Sequence, residues 1–112
     1  MAKSLSMISY NMHGFNQGQT LLSYFCSDSI LNCDVILVQE HWLTPANLAK
    51  LINFSESHTF FGKSAMEDAI TKSVLIGRPW GGVGVFIKST LIDEVKFNKC
   101  SERLVVVVYT TL

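Results

Sequence analysis

Glu40 is the side chain of this sequence whose setting best suits chemistry. It follows Val35-Ile36-Leu37-Val38-Gln39 and is followed at once by His41-Trp42. Four consecutive aliphatic residues in so short a run read as a strand buried on both faces, because an amphipathic strand would alternate. The carboxylate stands where that strand runs out. In open α/β sheets ligands collect at the carboxyl ends of the strands, so Glu40 would be carried to the rim of the core on a rigid support. The alternative is that Glu40 only marks where the strand meets water. Among the histidines, His13 falls in a turn, where it is either solvated or within reach of a substrate, and His41 either packs or faces solvent.

Several elements must position these groups. Residues 5–12 read as a strand with apolar residues on both faces, which suits an inner strand. Gly14, Asn16 and Gly18 read as the turn that ends it. Leu21, Leu22, Phe25 and Cys26 then recur at helical spacing, so a short helix runs from about 19 to 29. Asn32-Cys33-Asp34 breaks it before the Val35 strand. Strand, helix, strand favours a parallel pair with a right-handed crossover.

Beyond Trp42, Thr44-Pro45 reads as an N-cap with proline at the first helical position, and Leu48, Leu51 and Ile52 give a stripe to about Asn53. Residues 58–62 read as a strand. Residues 63–78 suit either a helix, with Met66, Ala69, Ile70 and Val74 as its stripe, or a loop. Gly77-Arg78-Pro79-Trp80-Gly81-Gly82-Val83-Gly84-Val85-Phe86-Ile87 runs from glycines into a strand. It lacks the last glycine of G-x-G-x-x-G and no helix pattern follows, so it is no dinucleotide loop. At Gly84 the missing side chain would let a bulky neighbour approach. Trp80 suits core or rim. Further strands are expected over 93–100 and 104–109, the latter buried on both faces.

The 112 residues suit one small α/β domain. Nine basic and nine acidic residues cancel to zero net charge, so there is no global basic footprint of a dedicated nucleic-acid binder. The longest apolar run is far short of a membrane span, and no signal peptide is evident. Cys26, Cys33 and Cys100 form no C-x-x-C pair, which points to reduced, mostly buried thiols in an intracellular protein and away from a zinc site. The apolar final strand needs cover on both faces, and the helices can cover only one, so the chain is expected to be the front part of a larger, truncated domain.

Three stretches carry a resemblance when taken in order. Ser9-Tyr10-Asn11-Met12-His13-Gly14, then Leu37-Val38-Gln39-Glu40-His41-Trp42, then the Gly77 to Val85 stretch quoted above, resemble the endonuclease/exonuclease/phosphatase superfamily. The nearest likeness is to the apurinic-type endonuclease domains of non-LTR retrotransposons. The Glu102-Arg103-Leu104 entry into the last strand fits the same pattern.

The resemblance implies a four-layered α/β/β/α sandwich with mixed sheets. It implies Mg²⁺- or Mn²⁺-dependent hydrolysis of phosphodiesters, with DNA as partner and a nuclear location as one option. Asn11 matches the family asparagine beside the metal, and Glu40 matches the metal-binding glutamate. Mg²⁺ prefers hard oxygens, often one or two carboxylates, and leaves places for water and phosphate. The family's D-x-N motif, its catalytic tyrosine and its terminal histidine–aspartate pair have no match here, and His13, His41 and His58 do not stand in that histidine's position. The remaining C-terminal half of the domain would be needed. Arg78 and Arg103 suit phosphate contacts or ion pairs. The alternatives are a branch acting on RNA tails, inositol phosphates or phospholipids, and a catalytically inactive fragment.

Overall fold

The computed structural model describes residues 6–27, 30–65, 81–101 and 104–109, the last two segments beyond Leu91 by their backbone alone. Strand β1 (Met7–Asn11), helix α1 (Phe15–Cys26) and strand β2 (Val35–Gln39) make the expected strand–helix–strand unit. β1 and β2 are parallel, in register from Met7 with Val35 to Asn11 with Gln39. A 3₁₀ turn (Pro45–Asn47) leads into helix α2 (Ala49–Ile52), then strand β3 (His58–Lys63) and strand β4 (Val83–Lys88). β4 runs antiparallel to β2 and to β3, giving a mixed sheet in the order β1-β2-β4-β3. After a 3₁₀ segment (Ser89–Glu94), strands β5 (Val95–Ser101) and β6 (Leu104–Tyr109) pair antiparallel as a second, two-stranded sheet. Its backbone comes close to β3 and β4. No helix among the described residues is long and apolar enough to cross a membrane.

The core lies between the four-stranded sheet and its helices. Ile36 pairs with Phe86 across β2 and β4, and both are fully buried. Val38, Leu22, Phe25, Leu51, Phe60 and Met12 close around them. Burying each such side chain contributes roughly 1.5–3 kcal/mol. Phe15, Phe54, Phe86 and Phe60 form a continuous run of ring contacts with centroids between 4.9 and 6.1 Å apart. The edge-to-face contacts, Phe15–Phe54 and Phe54–Phe86, add to plain burial.

The end of the sheet where β1 and β2 begin is tied by Asp34. Its carboxylate accepts from the Ser6 backbone N–H at 2.9 Å and lies 3.4 Å from the Lys88 ammonium. Partial burial alone would raise its pKa, but these partners outweigh burial and hold it below the ordinary carboxylate value.

Four expectations need correction. The helix starts at Phe15, ahead of the expected turn, and Gly18 lies inside it. A glycine usually argues against a helix interior, but here α1 presses on the end of β1, and a Cβ on Gly18 would stand 2.7 Å from the Met12 carbonyl oxygen. Tyr10 reinforces the contact by donating to the Gly18 carbonyl at 2.9 Å. Thr44 and Pro45 do stand at the N-cap and the first position, but of a 3₁₀ turn ahead of α2, and Thr44 makes no side-chain cap bond. Among the described residues β1 is an edge strand of its sheet, with Met7 61% exposed. On the same face Leu37 is 37% exposed, so β2 is buried on one face only.

The glycine in β4 is explained by β3. The Phe60 ring covers both Gly84 and Gly62, and a Cβ on Gly84 would meet that ring at 2.3 Å. Phe60 is itself fixed against Phe86 at 4.9 Å, so it cannot swing aside cheaply. Gly84→Ala is expected to lower the free energy of unfolding by about 1–3 kcal/mol through overpacking, read as a lower urea midpoint at unchanged slope. An unchanged midpoint would show that the ring does not occupy that space.

Candidate functional site

Where β2 ends, the backbone is held from both sides. On the β1 side, the Met12, Gly14 and Phe15 N–H groups donate to the carbonyls of Gln39, Glu40 and His41 at 2.8–2.9 Å. On the β4 side, the Glu40 and Trp42 N–H groups donate to the carbonyls of Gly82 and Gly81 at 2.8 and 2.9 Å. Within this grip Glu40 and Trp42 adopt φ of +56° and +59°, and His13 across the cleft adopts +49°. Left-handed backbone at non-glycine residues is uncommon and costs free energy unless the surroundings impose it.

His41 lies between the two left-handed residues and is fully buried. Its Nδ1 accepts from the Leu43 N–H at 3.0 Å, and its Nε2 stands 3.1 Å from the Lys63 carbonyl. A carbonyl only accepts, so Nε2 carries the proton and the ring is the neutral Nε2–H tautomer. Gly82 lies flat against it, and a Cβ there would meet the ring at 2.2 Å. Burial pushes the pKa of His41 down, against the opposing pull of the Lys63 carbonyl and the Glu40 charge.

Glu40 and Trp42 face a cleft of about 740 Å³ together with His13, Gly14, Phe15, Asn16, Gln17, His41, Leu43 and Lys50. The Trp42 indole Nε1–H donates to Glu40 Oε2 at 2.7 Å, the short distance of a charge-assisted bond. The six-membered ring of the indole rests on Gly14, where a Cβ would come within 2.6 Å of it. Trp42 is nonetheless 39% exposed. Lys50 reaches over the Phe15 ring at 5.9 Å.

Asn11 and Glu40 stand at the carboxyl ends of adjacent parallel strands, one residue apart in register. Asn11 is on the face of Ser9 and Leu37 and does not line the cleft; its Oδ1 accepts from the His13 N–H at 3.0 Å. His58 is buried, with Nε2 donating to the Cys33 carbonyl and Nδ1 beside the Ser57 hydroxyl. Cys26 and Cys33 are free thiols, and burial pushes Cys26 up to about 11. Arg78, Trp80, Glu102 and Arg103, and the helix-or-loop segment from 66 onward, lie outside the described residues. Among the described residues no cluster of three or more His, Cys, Asp or Glu side chains could hold a metal. The roles of Trp42 and Lys50 were not legible in sequence; the Glu-x-Trp spacing at a strand end is the one signal that could have raised Trp42. No family model, curated protein or solved structure matches the chain.

Protonating His41 would place a second donor against the Leu43 N–H inside the core. The folded state therefore binds fewer protons than the unfolded chain, whose histidines titrate near 6.5. The stability that neutral His41 contributes is fully present above about pH 6.5 and is lost as pH falls below it. Urea midpoints measured between about pH 7.5 and 5 should fall, and His41→Gln, which keeps one donor and one acceptor, should start lower and fall less. An equal fall in both would assign the dependence to another group.

Proposed function

We propose that this chain is the N-terminal part of a metal-dependent phosphodiesterase of the endonuclease/exonuclease/phosphatase type, related to the retrotransposon endonucleases and acting on DNA. The observation that carries this reading is the placement of Glu40: a carboxylate fixed by an indole N–H at the end of a central strand, open to a cleft. Support also comes from Asn11 at the end of the neighbouring strand. The four-layered sandwich belongs to the same proposal. It draws support from the second sheet near β3 and β4, and from Val85 and Ile87, which are buried although they alternate with the core residue Phe86.

The donor set suits a hydrated hard cation better than an all-protein cage. Glu40 keeps one oxygen with no hydrogen bond from the described residues, and Mg²⁺ typically takes one or two carboxylates with water and phosphate completing its shell. Bound there, Mg²⁺ or Mn²⁺ would neutralise charge on the phosphate and stabilise the leaving oxygen. Glu40 would hold the ion, and Trp42 fixes the rotamer of Glu40. Asn11 ends the neighbouring strand outside the cleft and would act through His13, whose N–H its Oδ1 holds. Lys50 supplies positive charge in the cleft.

Activation of water needs a base. His41 and His58 have both ring nitrogens engaged, and neither can serve without breaking its network. His13 also lines the cleft; the resemblance would place the base instead in the C-terminal motifs of the complete domain. The engagement of His41 and His58 favours a second reading, a binding fragment without catalysis. Mn²⁺ titration followed by water-proton relaxation should show one site, weakened by orders of magnitude in Glu40→Gln with the fold intact by circular dichroism. In a protein carrying this chain with the later motifs, nicking of supercoiled DNA should fall in parallel. Equal Mn²⁺ binding by both forms would overturn the metal role, and a bound ion without nicking would leave the binding fragment.

A further inference from the structure

We propose that the cleft beside Glu40 receives an unpaired nucleobase stacked on Trp42, so that the chain binds single-stranded nucleic acid in preference to duplex. The inference rests on the phosphodiesterase reading for the purpose of the site, although the binding itself needs no metal.

Trp42 is a part-exposed aromatic whose orientation is already fixed. Its Nε1–H is bound to Glu40, its backbone N–H to Gly81, and its six-membered ring rests on Gly14. A ring locked in advance stacks a ligand without losing rotamer freedom on binding. The cleft, at about 740 Å³, is within the range of pockets that enclose small ligands. His13, Asn16 and Gln17 border it with groups able to meet a base edge.

Charge decides between single strand and duplex. Lys50 is the one lysine or arginine among the described cleft residues, Glu40 opposes it, and the chain as a whole is neutral. A duplex binder draws its affinity from many phosphate contacts. One cation cannot supply that, whereas base–aromatic stacking works strand by strand and tolerates sequence. A stacked base within a duplex also has no free face to offer.

The test uses the full 112-residue chain in EDTA, with labelled oligonucleotides of about eight residues followed by fluorescence anisotropy. The probes are a DNA strand, the RNA strand of the same sequence, the DNA duplex, and an abasic DNA strand with the same phosphates. The DNA or the RNA strand should bind at least about tenfold more tightly than duplex or abasic strand. A single phosphate contact gives a salt slope of only about −0.7. Trp42→Ala should lose about tenfold or more, and Trp42→Phe, which keeps a stacking face but loses the bond to Glu40, should lose clearly less than Trp42→Ala. Duplex or abasic binding equal to that of the single strand, no binding of any probe, or equal losses in Trp42→Phe and Trp42→Ala would overturn the proposal. The wild-type comparisons stand even where a variant fails to fold. Failure of the metal reading shows only in the Mn²⁺ titration and leaves the EDTA result untouched.

Discussion

The neutral imidazole of His41 is the constraint on which this end of the molecule depends. It is a buried polar group that satisfies two backbone groups, the Leu43 N–H and the Lys63 carbonyl, in one orientation and one tautomer. Leaving either group unpaired in the core would cost about 1–3 kcal/mol. The ring joins the loop after β2 to the end of β3, and it fits only because Gly82 offers no side chain beneath it. Glu40 and Trp42 flank it in sequence, so the position of each follows from the ring between them.

The two ends of the sheet solve different problems. At the end where β1 and β2 begin, Asp34 gathers Ser6 and Lys88 with ordinary strand geometry and a carboxylate that prefers to be charged. At the other end the strands stop, helix α1 begins, and glycines 14, 81 and 82 take positive φ. The aromatic run through Phe15 and Phe54 to Phe86 couples the cleft wall to the core.

Much of this was legible in the sequence, and the misses have physical causes. The strand before Glu40, the parallel pairing with β1 and the strands over 58–62 and 104–109 follow from periodicity and turn residues, which are local, and β3 extends only one residue further, to Lys63. The close approach at Gly84 was also legible, because a glycine inside an apolar strand has few other uses. Gly18 misled because a helix glycine kept for packing on Met12 looks the same in sequence as a turn glycine. The exposure of Leu37 depends on what lies over its face, which composition does not encode. At the site, Glu40 and Asn11 stood out by position, but the bond from Trp42 depends on a backbone conformation that sequence pattern does not announce.

Four non-glycine residues among those described have positive φ, and three of them, His13, Glu40 and Trp42, line the cleft. Such a residue costs of order 1–3 kcal/mol, a sizeable share of a total stability of about 5–15 kcal/mol. Glycine would relieve the cost, and the sequence does place glycine at the facing positions 81 and 82. Glycine at 40 and 42 could make the same backbone hydrogen bonds. What glycine could not supply is the 2.7 Å bond between the two side chains. Two consecutive residues of an extended strand point to opposite faces, and residues two apart stand on one face with their backbones straight between them. The left-handed pair bends that path around His41 and brings carboxylate and indole edge to edge. The strain is thus concentrated where it orients Glu40, and the backbone bonds on either side are what sustain it.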